Sequence, residues 1–256
     1  MSTRILAIDA GNTRIKWGVH DGRDGQDWSL RGAVDVVDFA GSHAFRDALA
    51  ASAIDQVVAS NVAGPAVATL IEIQTQSLGK PILFIASKAQ QCGVTNGYEN
   101  PAQLGSDRWA ALIGAHVAAR DAPRAQLVVM AGTALTVDAL SAAGHFLGGI
   151  IAPGMMLMHR ALNRGTAQLP AAIGHYQTFP TSTVNAITAG AFEACAGAVQ
   201  RMATHLAAQV GEVPRCIGSG GAMHVLAQHL PFPVSINDNL VLDGLLAIAN
   251  TGRNPR

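Results

Sequence analysis

Two short strings limit what this chain can fold into. Leu6-Ala7-Ile8-Asp9-Ala10-Gly11-Asn12-Thr13 and Leu127-Val128-Val129-Met130-Ala131-Gly132-Thr133 share one construction, an apolar run closed by Ala-Gly and a threonine, and each leads into a second β-branched run. A strand, a glycine turn and a return strand make a hairpin. Its recurrence at the head of each half points to a duplicated domain, although any Ala- and Gly-rich hairpin would imitate so short a match.

The rest of the pattern alternates. The first hairpin, Arg4 to Asp9 and Arg14 to His20, is followed by a strand at Trp28 to Val34, helices at Ala44 to Ala53 and Gly64 to Leu78 around a strand at Gln56 to Ser60, and a strand at Pro81 to Ile85. Gln90 to Gly105, rich in Gly, Asn and Pro, reads as a loop, and Trp109 to Arg120 as an Ala-rich helix. Asp121-Ala122-Pro123 closes that half, which sets the expected domains at 1–120 and 121–256. The second half continues with a strand at Phe146 to Pro153, a long helix at Thr183 to Val210, a strand at Pro214 to Ile217 and a last helix from about Asn239. The expected class is α/β.

With 49% hydrophobic residues the chain can bury a substantial core. Lys+Arg 17 against Asp+Glu 17 leaves no basic excess for nucleic acid or an anionic membrane, so the expected partner is small. Cys92, Cys195 and Cys216 are too scattered for a disulfide framework and read as buried small hydrophobes of a reducing compartment. The N-terminus lacks a signal-peptide core, and Leu127 to Leu140 and Phe146 to Met158 are interrupted well short of about 18 apolar residues. A cytoplasmic protein is expected.

Four strings could carry chemistry. In Asp9-Ala10-Gly11-Asn12-Thr13-Arg14-Ile15-Lys16, the glycine permits a sharp turn whose N–H groups, with the Asn12 and Thr13 side chains, can converge on phosphate oxygens; Lys16 adds positive charge. Asp9 closes a buried strand, where magnesium or its waters would satisfy the carboxylate; an ordinary Asx turn explains the string as well. Gly132 and Thr133 stand at the equivalent place in the repeat, where a buried hairpin with Thr as a β-former is the alternative. Gly218-Ser219-Gly220-Gly221 would let a nucleotide pack against backbone, but no dinucleotide GxGxxG or Walker string is present. In Gly105-Ser106-Asp107-Arg108, Asp107 could be a general base and Arg108 a fork for a carboxylate or phosphate, whereas Ser106 or Asp107 could simply cap a helix beginning near Trp109. The nine histidines show no HExxH, and Met155, Met156 and Met158 read as core filling or subunit contact.

Taken together, these strings resemble the type III pantothenate kinases of the actin, sugar kinase and Hsp70-like superfamily. Asp9 to Lys16 resembles the family's DxGNTxxK phosphate motif, and Gly105 to Arg108, with Tyr98 and Pro101 upstream, its GxDR substrate motif. Gly132-Thr133-Ala134 with Thr136 and Asp138 resembles GTAxTxD, Gly148 to Gly154 resembles GGxIxPG, and Thr183 lies in a TxxxIxxG stretch. The resemblance implies two RNase H-like domains with ATP in a cleft between them, a homodimer, and phosphorylation of pantothenate as the first step of coenzyme A biosynthesis. It assigns Asp107 as catalytic base. Asp9, Ala10, Gly11, Asn12, Thr13, Arg14, Ile15, Lys16, Gly132 and Thr133 would bind ATP, and Tyr98, Gly105, Ser106, Asp107, Arg108 and Thr183 the substrate; Asp9 would organise Mg²⁺ through water. Met130 departs from the family, which often has Asp there, and so puts a K⁺ or NH₄⁺ ligand in doubt. A kinase of another small alcohol, or a non-catalytic ATP-binding accessory factor for transcription, remains the alternative.

Overall fold

The computed structural model describes residues 3–21, 27–166, 169 and 172–251. Two compact units form, Met1–Asp121 with Asn239–Arg256, and Ala122–Asp238.

In the first unit, β1 (Ile5–Ala10) pairs antiparallel with β2 (Arg14–His20), and β2 with β3 (Leu30–Asp35); β1 also pairs in parallel with β4 (Gln56–Asn61), and β4 with β5 (Ile82–Phe84). The order is β3-β2-β1-β4-β5. The second unit repeats it. There β8 (Gln126–Ala131) pairs antiparallel with β9 (Ala134–Leu140), β9 with β10 (His145–Pro153), and β8 in parallel with β11 (Arg215–Ser219), which pairs in parallel with β12 (Val234–Ile236). Five strands with the same order and the same directions in each of the two sheets make the duplication a fact of topology, and the class is α/β as expected.

One face of each sheet is covered by helices. Leu6, Ile8, Ile15, Trp17, Val57 and Ala59 face a cluster with Phe39 and Phe45, where α1 (His43–Ala50) and α2 (Pro65–Thr75) pack. Trp17 meets Phe45 edge-on at 5.6 Å, and truncating Phe45 to Ala would cost about 3 to 5 kcal/mol. Ser42 caps α1 by accepting from the Phe45 N–H, and α2 opens with proline, whose missing N–H is no loss there. In the second unit Leu127, Val129, Leu135 and Val137 face α5 (Thr183–Val210), which Ser182 caps and Gly211 ends in a left-handed turn. Also present are α4 (Met155–Gly165) and the short α6 (Met223–Leu226). No helix among the described residues is long and apolar enough to cross a membrane.

Three sequence readings need correction. The last helix, α7 (Leu240–Thr251), belongs to the first unit, so the second domain does not run to 256. It crosses α3 (Ser106–Ala118) at backbone contact: a Cβ at Gly114 would collide with the Leu240 carbonyl, and one at Gly244 with that of Ala110. Only glycine permits so close a crossing. Next, the loop over Gln90 to Gly105 contains a hairpin, β6 (Gln90–Gln91) and β7 (Val94–Asn96), around Cys92-Gly93 with φ 50° and 83°. Both φ values are positive, as a type I′ turn demands. Cys92 is therefore a turn residue with its Sγ 3.2 Å from Thr251 Oγ1, whereas Cys195 and Cys216 are buried as expected. The methionines after Pro153-Gly154 lie in a helix, where Met155 and Met158 fill the core as expected and Met156 is exposed.

Candidate active site

The first turn sits where its sequence puts it. Asp9, the penultimate residue of β1, stands opposite Lys16 on β2 and Ser60 on β4, and the Gly11 N–H returns to the Arg14 carbonyl at 3.0 Å. Asn12 and Thr13 are exposed at the tip. Ile15 points into the core, so it can offer a ligand only backbone, and Arg14 is drawn towards Asp35 at 3.6 Å on the surface. Burial, and then the charge of Asp107, push the Asp9 carboxyl up to about 7; Lys16 opposes them.

Asp107 comes from another part of the same unit. Helix α3 begins at Ser106, and its N-cap, Gly105, makes no side-chain bond, so Asp107 lies inside the first turn and is not the cap. Neither Ser106 nor Asp107 is therefore the N-cap residue, although the Asp107 side chain serves a donor of the first turn. There the carboxylate faces the positive end of the helix and accepts the Arg108 N–H at 2.8 Å. Burial still raises its proton affinity, against the pull of that bond and of the Arg108 charge. A Cβ at Gly105 would lie 2.6 Å from Asp107 Oδ1, so a larger residue there would push the carboxylate aside. Arg108 is buried, with Nη1 donating to the Tyr98 hydroxyl at 3.1 Å and its guanidinium 5.8 Å from the Tyr98 ring centre. Ser106 shares a 2.8 Å hydroxyl bond with Ser60, a residue the sequence reading did not single out because nothing in its own string marks it. The first unit thus gathers Asp9, Lys16, Tyr98, Ser106, Asp107 and Arg108.

Gly132, Thr133 and Thr183 belong to the second unit. Gly132 and Thr133 are exposed at the β8–β9 turn, with the Gly132 N–H on the Ala134 carbonyl at 3.0 Å, and Thr183 is the exposed first residue of α5. Met130 occupies in β8 the place of Asp9 in β1. Its cross-strand neighbours are Thr136 and Ser219, as those of Asp9 are Lys16 and Ser60. Both hydroxyls are buried and find no hydrogen-bond partner. Gly218 to Gly221 leads only to the four-residue α6, too short to present a helical N-terminus to a phosphate.

Known proteins resemble this chain over most of its length. The sequence model of the type III pantothenate kinase family matches residues 5–205. A type III pantothenate kinase of Nitrosospira multiformis is 47% identical over 251 residues, covering 97% of this chain and 92% of its own. One of Aromatoleum aromaticum is 48% identical over 246 residues, covering 96% and 97%. Among solved structures, a Sinorhizobium meliloti protein assigned as a 2-dehydro-3-deoxygalactonokinase aligns with a TM-score of 0.62 at 15% identity, over 96% of this chain and 98% of its own. A Campylobacter jejuni protein assigned to the Baf family of transcriptional activators aligns at 0.57 and 19%, over 97% and 99%. These two establish the fold.

Proposed function

The chain belongs to the type III pantothenate kinase family, and on that premise we propose that it transfers the γ-phosphoryl group of ATP to the primary hydroxyl of pantothenate, opening coenzyme A biosynthesis. The observation that carries the reading is Asp107, held in the first turn of α3 with a raised proton affinity and followed by a buried arginine bonded to Tyr98.

In this reading Arg108 and Tyr98 bind pantothenate, with Gly105 and Ser106 shaping the floor and Thr183 contributing a hydroxyl. Asp107 orients the substrate hydroxyl and takes its proton as the new O–P bond forms and the bond to the ADP oxygen breaks. A carboxyl whose proton affinity is already raised suits that transfer. Asn12, Thr13, Lys16, Gly132 and Thr133, with the backbone from Ala10 to Ile15, hold the phosphates, and Arg14 closes the string. Positioning and electrostatics supply most of the catalysis.

Among the described residues no group of three or more His, Cys, Asp or Glu could hold a metal by itself. Magnesium fits nonetheless, because it keeps several waters and binds through one or two carboxylates plus phosphates. Asp9 would hold it through water, and the cation would neutralise charge on the transferring phosphate. A monovalent cation fits poorly. Thr136 and Ser219 could offer neutral oxygens, but the Met130 thioether between them is a soft group without charge.

The protein is proposed to act in the cytoplasm as a homodimer. Support for the dimer is the exposure of Ile151 on β10 and of Met156, Leu157 and Leu162 on α4. Sedimentation of the purified protein tests it. The activity is tested by ADP release with and without pantothenate, with phosphopantothenate identified by mass. ADP formed with another alcohol, and not with pantothenate, would move the assignment to a different kinase. Nucleotide binding with no turnover of any alcohol would favour a non-catalytic accessory factor for transcription.

A further inference from the structure

A turn that binds an anion must show it N–H groups and hydroxyls and turn its carbonyls elsewhere, since a carbonyl oxygen facing a phosphate repels it. At two carbonyls each, the turns meet this requirement with the same bonds. In the first unit the Ala10 carbonyl accepts from the Val62 N–H at 3.0 Å and the Thr13 carbonyl from the Val36 N–H at 2.9 Å. In the second, the Ala131 carbonyl accepts from the Ala222 N–H at 3.1 Å and the Thr133 carbonyl from the Gly154 N–H at 2.9 Å. Val36 and Gly154 each directly follow the third strand of their unit, and Val62 and Ala222 each follow the fourth.

The second arrangement is the tighter one. A Cβ at Gly154 would collide with the Gly132 oxygen and lie 2.7 Å from that of Thr133, so both turn carbonyls are packed against the Gly154 α-carbon. Gly220, at φ 102°, lies equally close to Ala131: a Cβ there would collide with its oxygen and lie 2.7 Å from its carbonyl carbon. Three successive carbonyls, of Ala131, Gly132 and Thr133, are thus held from two sides by glycines. The first turn takes the corresponding bond from a valine, so the need for glycine is particular to the second.

We infer that Gly154, with Gly220 on the other side, is a positioning residue for the nucleotide phosphates, acting through the Gly132-Thr133 turn by fixing its carbonyls away from the anion. The inference rests on the proposed role of that turn, and the test separates the two. Gly154→Ala, Thr133→Ala and the double variant are compared for kcat, for KM towards ATP and pantothenate, and for melting temperature. Gly197→Ala, on an exposed face of α5 with open space around it, is the control. Gly154→Ala is expected to raise KM for ATP between about ten- and a hundredfold while leaving KM for pantothenate nearly unchanged. The double variant should be no worse than the weaker of the two single variants, because both remove the same interaction.

Normal use of ATP by Thr133→Ala would sink the phosphate role of the turn and the inference with it. An effect of Thr133→Ala that simply multiplies with that of Gly154→Ala would overturn the inference alone. So would an equal loss towards both substrates, the mark of a merely structural glycine. Should Gly154→Ala not fold, Gly220→Ala, which presses on Ala131 from the other side, carries the same comparison.

Discussion

Replacing Asp9 with Asn removes a carboxyl that folding buries at the end of β1, and its effect on stability can be worked out from the site. The folded value, about 7, lies above the ordinary 3.8 because burial and the nearby Asp107 disfavour the charge more than Lys16 supports it. Between those two pH values the native protein keeps a proton that the unfolded chain has released, so stability falls as pH rises through the window. Above it the full cost is present, roughly 4 kcal/mol at 1.36 kcal/mol per pH unit, and water penetration reduces that to about 2 to 4. Asparagine carries no charge at any pH. Asp9→Asn is therefore expected to be more stable than the parent at pH 8 by about that amount, with the gap closing towards pH 4.

All three tryptophans, Trp17, Trp28 and Trp109, lie in the first unit, so urea unfolding followed by their fluorescence reports on the unit that contains Asp9. Excess magnesium and ADP should reverse the ranking, because a cation offsets the cost only where there is a carboxylate to pair with it. A variant no more resistant to urea than the parent at pH 8, or a gap that does not narrow on acidification, would refute the reasoning.

Asp107→Asn should lower kcat by roughly a hundredfold or more with little change in nucleotide binding, since a positioned base typically contributes about 10² to 10⁴; near-parental turnover would leave Asp107 a structural residue. Lys16→Ala should raise KM for ATP, read by an ATP titration, because it deletes a point charge beside the phosphate turn. With Met130 between the unpartnered Thr136 and Ser219 hydroxyls, activity should persist in Tris buffer without potassium, and a potassium titration at constant ionic strength, run beside Met130→Asp, decides it. Inactivity without potassium and saturation at low concentration would contradict that expectation. Gly197→Ala should stabilise by about 0.5 to 1 kcal/mol, measured by thermal melting, because it removes glycine from an exposed helix interior with room for the methyl group.

What the sequence determined by itself was local. The two hairpins, their glycine turns, the 28-residue helix α5 and the Gly105 to Arg108 string could be read because each is specified within a few residues by apolar period, turn chemistry and caps. Resemblance to a family then joined strings that were individually ambiguous. What only the tertiary structure decided lies across long separations in the chain. Helix α7 joins the first unit because glycines at 114 and 244 allow two helices to meet backbone to backbone, a contact with no signature in either helix alone. Asp107 gains its proton affinity from burial, and Asp9 gains part of its own from Asp107, so neither property exists in the unfolded string. Gly154 and Gly220 are similarly silent as letters. Their meaning is the space they leave for three carbonyls of a turn more than twenty residues before the first of them, and that space exists only once β10 and β11 have taken their places in the sheet with β8 and β9.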